Sequence, residues 1–227
     1  MKIDTCEKDM PPTLFIRTPE SPIKAGLLSA PMPRVPVMPA TLLSLEMLLH
    51  YPSLDLRKVS RLLREDPGAL LHLFAVVAEE GAALSDPPAR IENYIASLPL
   101  ERLLKRLVTA GSPHRDHTSL STFALHAVTI GFHAQQVAAS LDLPGEQAML
   151  VGTLHELGFL PWALGWQAMP GTAGQAATCC EQLCLQYSLP VWLSAALIAL
   201  HRHASDSMWT AISAAAHELA EQRLIFA

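Results

Sequence analysis

From residue 39 onward, apolar side chains recur every three or four positions, the spacing of one face of a helix. Residues 41–51 carry Leu or Met at 42, 43, 45, 47, 48 and 49 before Pro52 stops the run. Residues 54–64 place Leu56, Val59, Leu62 and Leu63 on one stripe and Arg57, Lys58, Arg61 and Arg64 elsewhere. Asp66-Pro67 reads as a helix start, with Asp as N-cap and Pro in the first turn. That helix carries Leu70, Leu71, Leu73, Phe74 and Val77, and Gly81 ends it. A short helix opening at Asp86 runs through Tyr94 and Ile95, and 100–110 form another that closes at Gly111.

Residues 112–118 are a polar break and the best boundary between two lobes. A long helix follows from Ser121 to about Leu141. Pro144-Gly145 then begins a segment that leads through Met149, Leu150 and Leu154 to the adjacent pair His155 and Glu156. After a looser stretch at 161–171, a helix from about Thr172 carries the cysteines, and Leu189-Pro190 opens one that ends at His201-Arg202-His203. Asp206 caps the last helix, which runs close to the C-terminus. No alternating apolar–polar run of a half-buried strand occurs, so the expected class is all-α. Residues 1–38 contain Pro11, Pro12, Pro19, Pro22, Pro31, Pro33 and Pro36, and predict an extended lead-in, partly packed and partly disordered.

Composition narrows the classes. Half of the 227 residues are hydrophobic and 16% are charged, enough for a sizeable core, yet no apolar run approaches a membrane span. The N-terminus lacks the apolar run of a secretory signal, so a cytoplasmic location is expected. A net charge of −5 argues against nucleic acid or an acidic membrane as partner. Cys6, Cys179, Cys180 and Cys184 lack Cys-x-x-Cys spacing and read as buried free thiols of a reducing cytosol. His155 and Glu156 matter more. Adjacent ionisable groups in an oily segment are costly to bury unless they bond to each other, to a metal or to water.

Three stretches, Pro36-Val-Met-Pro-Ala-Thr-Leu-Leu, Arg64-Glu-Asp-Pro-Gly-Ala-Leu-Leu and Leu154-His-Glu-Leu-Gly, together resemble the HDOD domain, an all-α signalling output module related to HD-type phosphohydrolases. Tyr187-Ser-Leu-Pro190 and Ala199-Leu-His-Arg-His203 resemble that family's later signatures, so the likeness spans about 31–227. It implies a lead-in over 1–35 and an HDOD-like domain over 36–227, with lobes at 36–110 and 119–227. In HD enzymes a His, a His-Asp pair and a later Asp converge on divalent metal, which activates a water against a phosphoester. By the resemblance, His126 matches the first His, His155 and Glu156 the pair, and His217 the late Asp, while Phe159 stands where a basic residue often follows. These four residues are therefore either a relic hydrogen-bonded cluster or a candidate centre for a divalent transition metal.

The resemblance implies a non-catalytic regulatory module of bacterial-type signalling, working in trans on a signalling partner protein or a small ligand, with no resident cofactor. A homodimer is compatible with the oily composition. The rival readings are a metal-dependent phosphohydrolase on His126, His155, Glu156 and His217, and a nucleotide-binding sensor. Phe159, Trp162, Trp166, Tyr187 and Trp192 are the candidate ligand pocket, or else core. Arg57, Lys58, Arg61 and Arg64, with Arg102, Lys105 and Arg106, are the candidate anion or partner face, or else a solvated surface. His201 and His203 read as helix C-terminal residues favoured by the dipole.

Overall fold

The structure is a computed structural model that describes residues 32–51, 53–81, 90–111, 118–203 and 207–225. Among these the protein is all-helical, as the periodicity requires, and contains no strand. Eleven α-helices follow in order: α1 Pro39–Leu49, α2 Leu56–Arg64, α3 Pro67–Glu79, α4 Ile91–Ala96, α5 Leu100–Ala110, α6 Thr118–Ser140, α7 Gly145–Leu154, α8 Leu160–Ala163, α9 Ala173–Gln186, α10 Val191–His201 and α11 Met208–Ile225. A 3₁₀ turn, Leu157–Phe159, sits between α7 and α8. The expected lead-in up to 31, most of the polar break, and the Asp86 and Asp206 helix starts lie outside the described residues.

Local chemistry sets most helix ends. The Asp55 carboxylate accepts from Arg57 N–H at the start of α2, and Thr172 Oγ1 accepts from Gln175 N–H at the start of α9. Asp66 does more. One carboxylate oxygen caps α3 through Ala69 N–H at 3.1 Å, and the other accepts Met38 N–H at 2.7 Å, tying the lead-in to the helix. Burial raises the Asp66 pKa, and the backbone and side-chain hydrogen bonds it accepts oppose that rise.

α3 is buried on nearly all sides, with Leu70, Leu71, Leu73, Phe74, Val76 and Val77 at 0% exposure. The extended residues before α1 lie against it and are stitched down at alternate positions. Val35 N–H donates to the Tyr187 hydroxyl at 2.7 Å, and Val35 C=O lies 2.8 Å from His72 Nε2. Val37 N–H donates to Gly111 C=O at 3.1 Å, and the Gln186 amide donates to Met32 C=O at 3.1 Å. A buried backbone without a ladder must find such partners, and the Tyr187, His72 and Gln186 side chains and the Gly111 carbonyl supply them. At Gly68, an added Cβ would fall 2.2 Å from Pro36 C=O, so only glycine lets the segment lie this close.

The main core joins Val35, Val37, α2–α5, α7, α9 and α10. A second, alanine-rich cluster of Ile130, Ala134, Ala138, Ala148, Ile212 and Ala216 packs α6, α7 and α11 together. α6 and α7 approach most closely where two glycines meet. An added Cβ at Gly152 would lie 2.7 Å from Gly131 Cα, and one at Gly131 would lie 2.3 Å from Thr153 Oγ1. His126 precedes Gly131 on α6 and His155 follows Gly152 at the end of α7, so both histidines flank this crossing. Within the described residues, no helix is long and apolar enough to cross a membrane.

Candidate functional site

Three helices deliver the centre. His126 lies near the middle of α6, His155 follows the last residue of α7, and His217 lies within α11. One ring nitrogen from each comes within 4.8 Å of the other two. The ring centroids are 5.3 Å apart for His126 and His155, 5.4 Å for His126 and His217, and 4.9 Å for His155 and His217.

Two of the rings have their tautomers fixed by the backbone. His155 Nδ1 donates to Gly152 C=O at 2.6 Å, and His217 Nδ1 donates to Ser213 C=O at 2.7 Å. With Nδ1 protonated, Nε2 of each carries a lone pair. His155 is 8% exposed, and its Nε2 is buried without a hydrogen-bond partner. Burial depresses the His155 pKa to about 3, and the neighbouring His217, His126 and His201 push the same way while the Gly152 bond opposes them. His155 is therefore neutral at physiological pH. Glu156 stands at the half-open rim, its Oε2 3.8 Å from His126 Nε2. All four residues singled out in the sequence thus come together, with the carboxylate at the edge of the group.

The turn after the centre is held by a residue whose role the sequence reading missed. The sequence predicts His201 as a favoured cation at a helix terminus; the structure buries it, and its Nε2 accepts Gly158 N–H at 3.0 Å. Burial, with a smaller contribution from His203, lowers its pKa to about 4, so it is a neutral acceptor and not a dipole-stabilised charge. Gly158 is required there, since a Cβ would fall 2.2 Å from Ala176 C=O. The signal lay in the glycine after His-Glu-Leu, which marks a close backbone approach, although its imidazole partner is 43 residues away.

The candidate aromatic pocket is dispersed among different surroundings. Tyr187 is 1% exposed, and its hydroxyl accepts from Val35 N–H while its ring meets His72 edge-on at 5.2 Å. Phe159 packs against His201 at 5.6 Å, Trp166 and Trp192 are half-buried against the main core, and Trp162 is 46% exposed.

The basic face is largely paired with carboxylates. Arg61 bonds Glu65 at 2.9 Å, Arg64 contacts Glu146 at 3.1 Å and Glu92 at 3.6 Å, Arg102 bonds Glu79 and Glu80, and Arg106 meets Glu79 at 3.1 Å. Arg57, Lys58 and Lys105 are exposed. A cavity of about 410 Å³ beside Arg57, Arg64 and Arg90 is lined equally by Glu92 and Glu146. Cys179, Cys180 and Cys184 are free thiols; Cys180 and Cys184 are buried with their sulfurs 3.9 Å apart.

No family model and no curated protein matches the chain. Among solved structures, one of the MmoQ response regulator from Methylococcus capsulatus str. Bath is similar at a TM-score of 0.57 and 15% identity, covering 83% of this chain and 87% of that chain. A second crystal structure of that regulator, of a fragment, gives a TM-score of 0.57 at 16% identity over 85% of this chain and 86% of its own. At such identity the likeness is one of fold.

Proposed function

We propose that the chain is a signal-transduction module of the HDOD type that acts by binding a partner protein or small ligand, without turnover. The likeness in fold to a response regulator supports a regulatory role. The observation that carries the reading is the make-up of the centre. Phosphoester hydrolysis needs an activated water at an open metal position and donors aimed at the charge that develops on the phosphate. Here His217 occupies the place that the resemblance gives to a carboxylate. Phe159, where a basic side chain would serve a phosphate, is turned onto the ring of His201.

Of the candidate anion face, Arg61, Arg64, Arg102 and Arg106 are matched with Glu65, Glu79, Glu80, Glu92 and Glu146. That arrangement favours a partner surface of mixed charge over a nucleotide site. The rival reading, a metal-dependent phosphohydrolase, draws on the convergence of the imidazoles. Turnover separates the two. The full chain, supplied in turn with zinc, manganese and magnesium, is expected to hydrolyse phosphodiesters and nucleotides no faster than its His155→Ala variant. Turnover that disappears in that variant would establish the hydrolase in place of the module.

A further inference from the structure

We propose that His126, His155 and His217 bind one divalent transition-metal ion of the zinc class, with Glu156 as fourth ligand, clasping α6, α11 and the end of α7. Three independent features of the centre point to a ligand. One nitrogen of each ring already lies within 4.8 Å of the others. His155 Nε2 is buried and has no hydrogen-bond partner. Two of the rings are held from behind by Nδ1–H bonds to the Gly152 and Ser213 carbonyls, the outer contact that fixes a metal-ligating imidazole.

The donor set selects the ion. Three imidazoles and one carboxylate suit zinc and its transition-metal neighbours, whereas magnesium and calcium require mostly oxygen. Zinc–nitrogen bonds of about 2.0–2.1 Å in a tetrahedron place the nitrogens roughly 3.3 Å apart. The rings must therefore close by up to about 1.5 Å from their present separation. His126 and His217 are half-buried and His155 is buried, so the adjustment is assigned to the first two rings. Glu156, at 3.8 Å from His126 Nε2, completes four ligands after a side-chain rotation. Four protein ligands close the coordination sphere, the arrangement of a structural or sensing site and not of a hydrolytic one. Metal binding does not depend on the signalling reading: a centre that refuses metal leaves that reading standing, and turnover by a loaded centre would remove it while leaving the ion.

The test uses the full chain with any affinity tag removed, stripped with chelator, dialysed, and titrated with zinc chloride and cobalt chloride. One equivalent of either ion should bind. Free zinc at about 100 times its Kd should lower the unfolded fraction about 100-fold and raise the melting temperature by roughly 5–10 °C. The cobalt spectrum should show nitrogen and oxygen donors without thiolate charge transfer. His126→Gln and His217→Gln, both at half-buried rings, should each abolish the one-equivalent binding while keeping the helical circular dichroism, and Cys179→Ser should change nothing. Absence of binding, a thiolate band, or binding that survives both His→Gln substitutions would overturn the assignment.

Discussion

Gly152→Ala probes the packing that brings the histidines together. The new methyl would stand 2.7 Å from Gly131 Cα and 3.0 Å from Ala134 Cβ. Unbonded carbons settle at about 3.5–4.0 Å, so the contact is short by roughly 1 Å. The nearer obstacle is backbone and cannot rotate aside; α6 and α7 must part. Overpacking costs about 1–3 kcal/mol, and a clash with backbone belongs in its upper part, about 2–3 kcal/mol, offset by about 1 kcal/mol of alanine's better helix propensity. A net loss of about 1–2 kcal/mol lowers the melting temperature by roughly 2–8 °C in a domain of this size. Gly174→Ala is the matched control, because its Cβ would meet only Thr172 Oγ1, at 3.9 Å, in the exposed first turn of α9. That substitution is expected to stabilise by about 0.4–1 kcal/mol. Urea unfolding of both variants reads the difference in sign. Separating α6 from α7 also draws His155 away from His126, so zinc affinity should fall in Gly152→Ala alone. A Gly152→Ala protein as stable as the wild type would refute the close-crossing argument.

Further outcomes follow from the same contacts. Burial lowers the pKa of His72 to about 4, of His155 to about 3 and of His201 to about 4, against 6.5 when exposed. The unfolded chain therefore binds more protons between pH 6.5 and 4; stability should be intact above about pH 6.5 and fall by up to roughly 4 kcal/mol per pH unit within that window. Urea midpoints measured from pH 7.5 to 4.5 check this, and a flat profile would contradict the buried neutral state. Tyr187→Phe removes the acceptor of the buried Val35 N–H and should cost about 1–3 kcal/mol. Faster hydrogen exchange at Val35 is its direct signature, and unchanged protection there would show that the tie is unimportant. Asp66→Ala removes the α3 cap and the Met38 tie together and should cost about 2–4 kcal/mol, with Asp66→Asn retaining part of it by equilibrium unfolding.

The helices were legible because their signals are local. Asp66-Pro67, Pro144-Gly145, Thr172 and Pro190 each begin a helix where capping and proline chemistry place them, and 100–110 is a helix over that span. Other ends shifted by a few residues. Pro39, rather than Thr41, takes the first turn of α1, and Asp55 caps α2, which begins at Leu56 rather than Leu54. The convergence of His126, His155 and His217 was read through the family resemblance; helical spacing alone does not relate residues on three different helices. What stayed hidden was long-range. The Gly131–Gly152 crossing, the ties of Val35 to Tyr187 and His72, and the burial of His201 beneath Gly158 each join segments whose sequences give no sign of one another. The paired arginines belong here as well, since Arg64 finds Glu146 only after folding brings residues 82 apart into contact.

We propose that His126, His155 and His217 with Glu156 form a closed metal clasp and not a hydrolytic centre. Anomalous diffraction at the zinc edge, from crystals of zinc-loaded full chain, examines it directly. A single ion is expected between His126, His155 and His217, with the Glu156 carboxylate in the fourth position. Two ions, or one ion bearing a water that faces a cleft able to admit a phosphate, would contradict it.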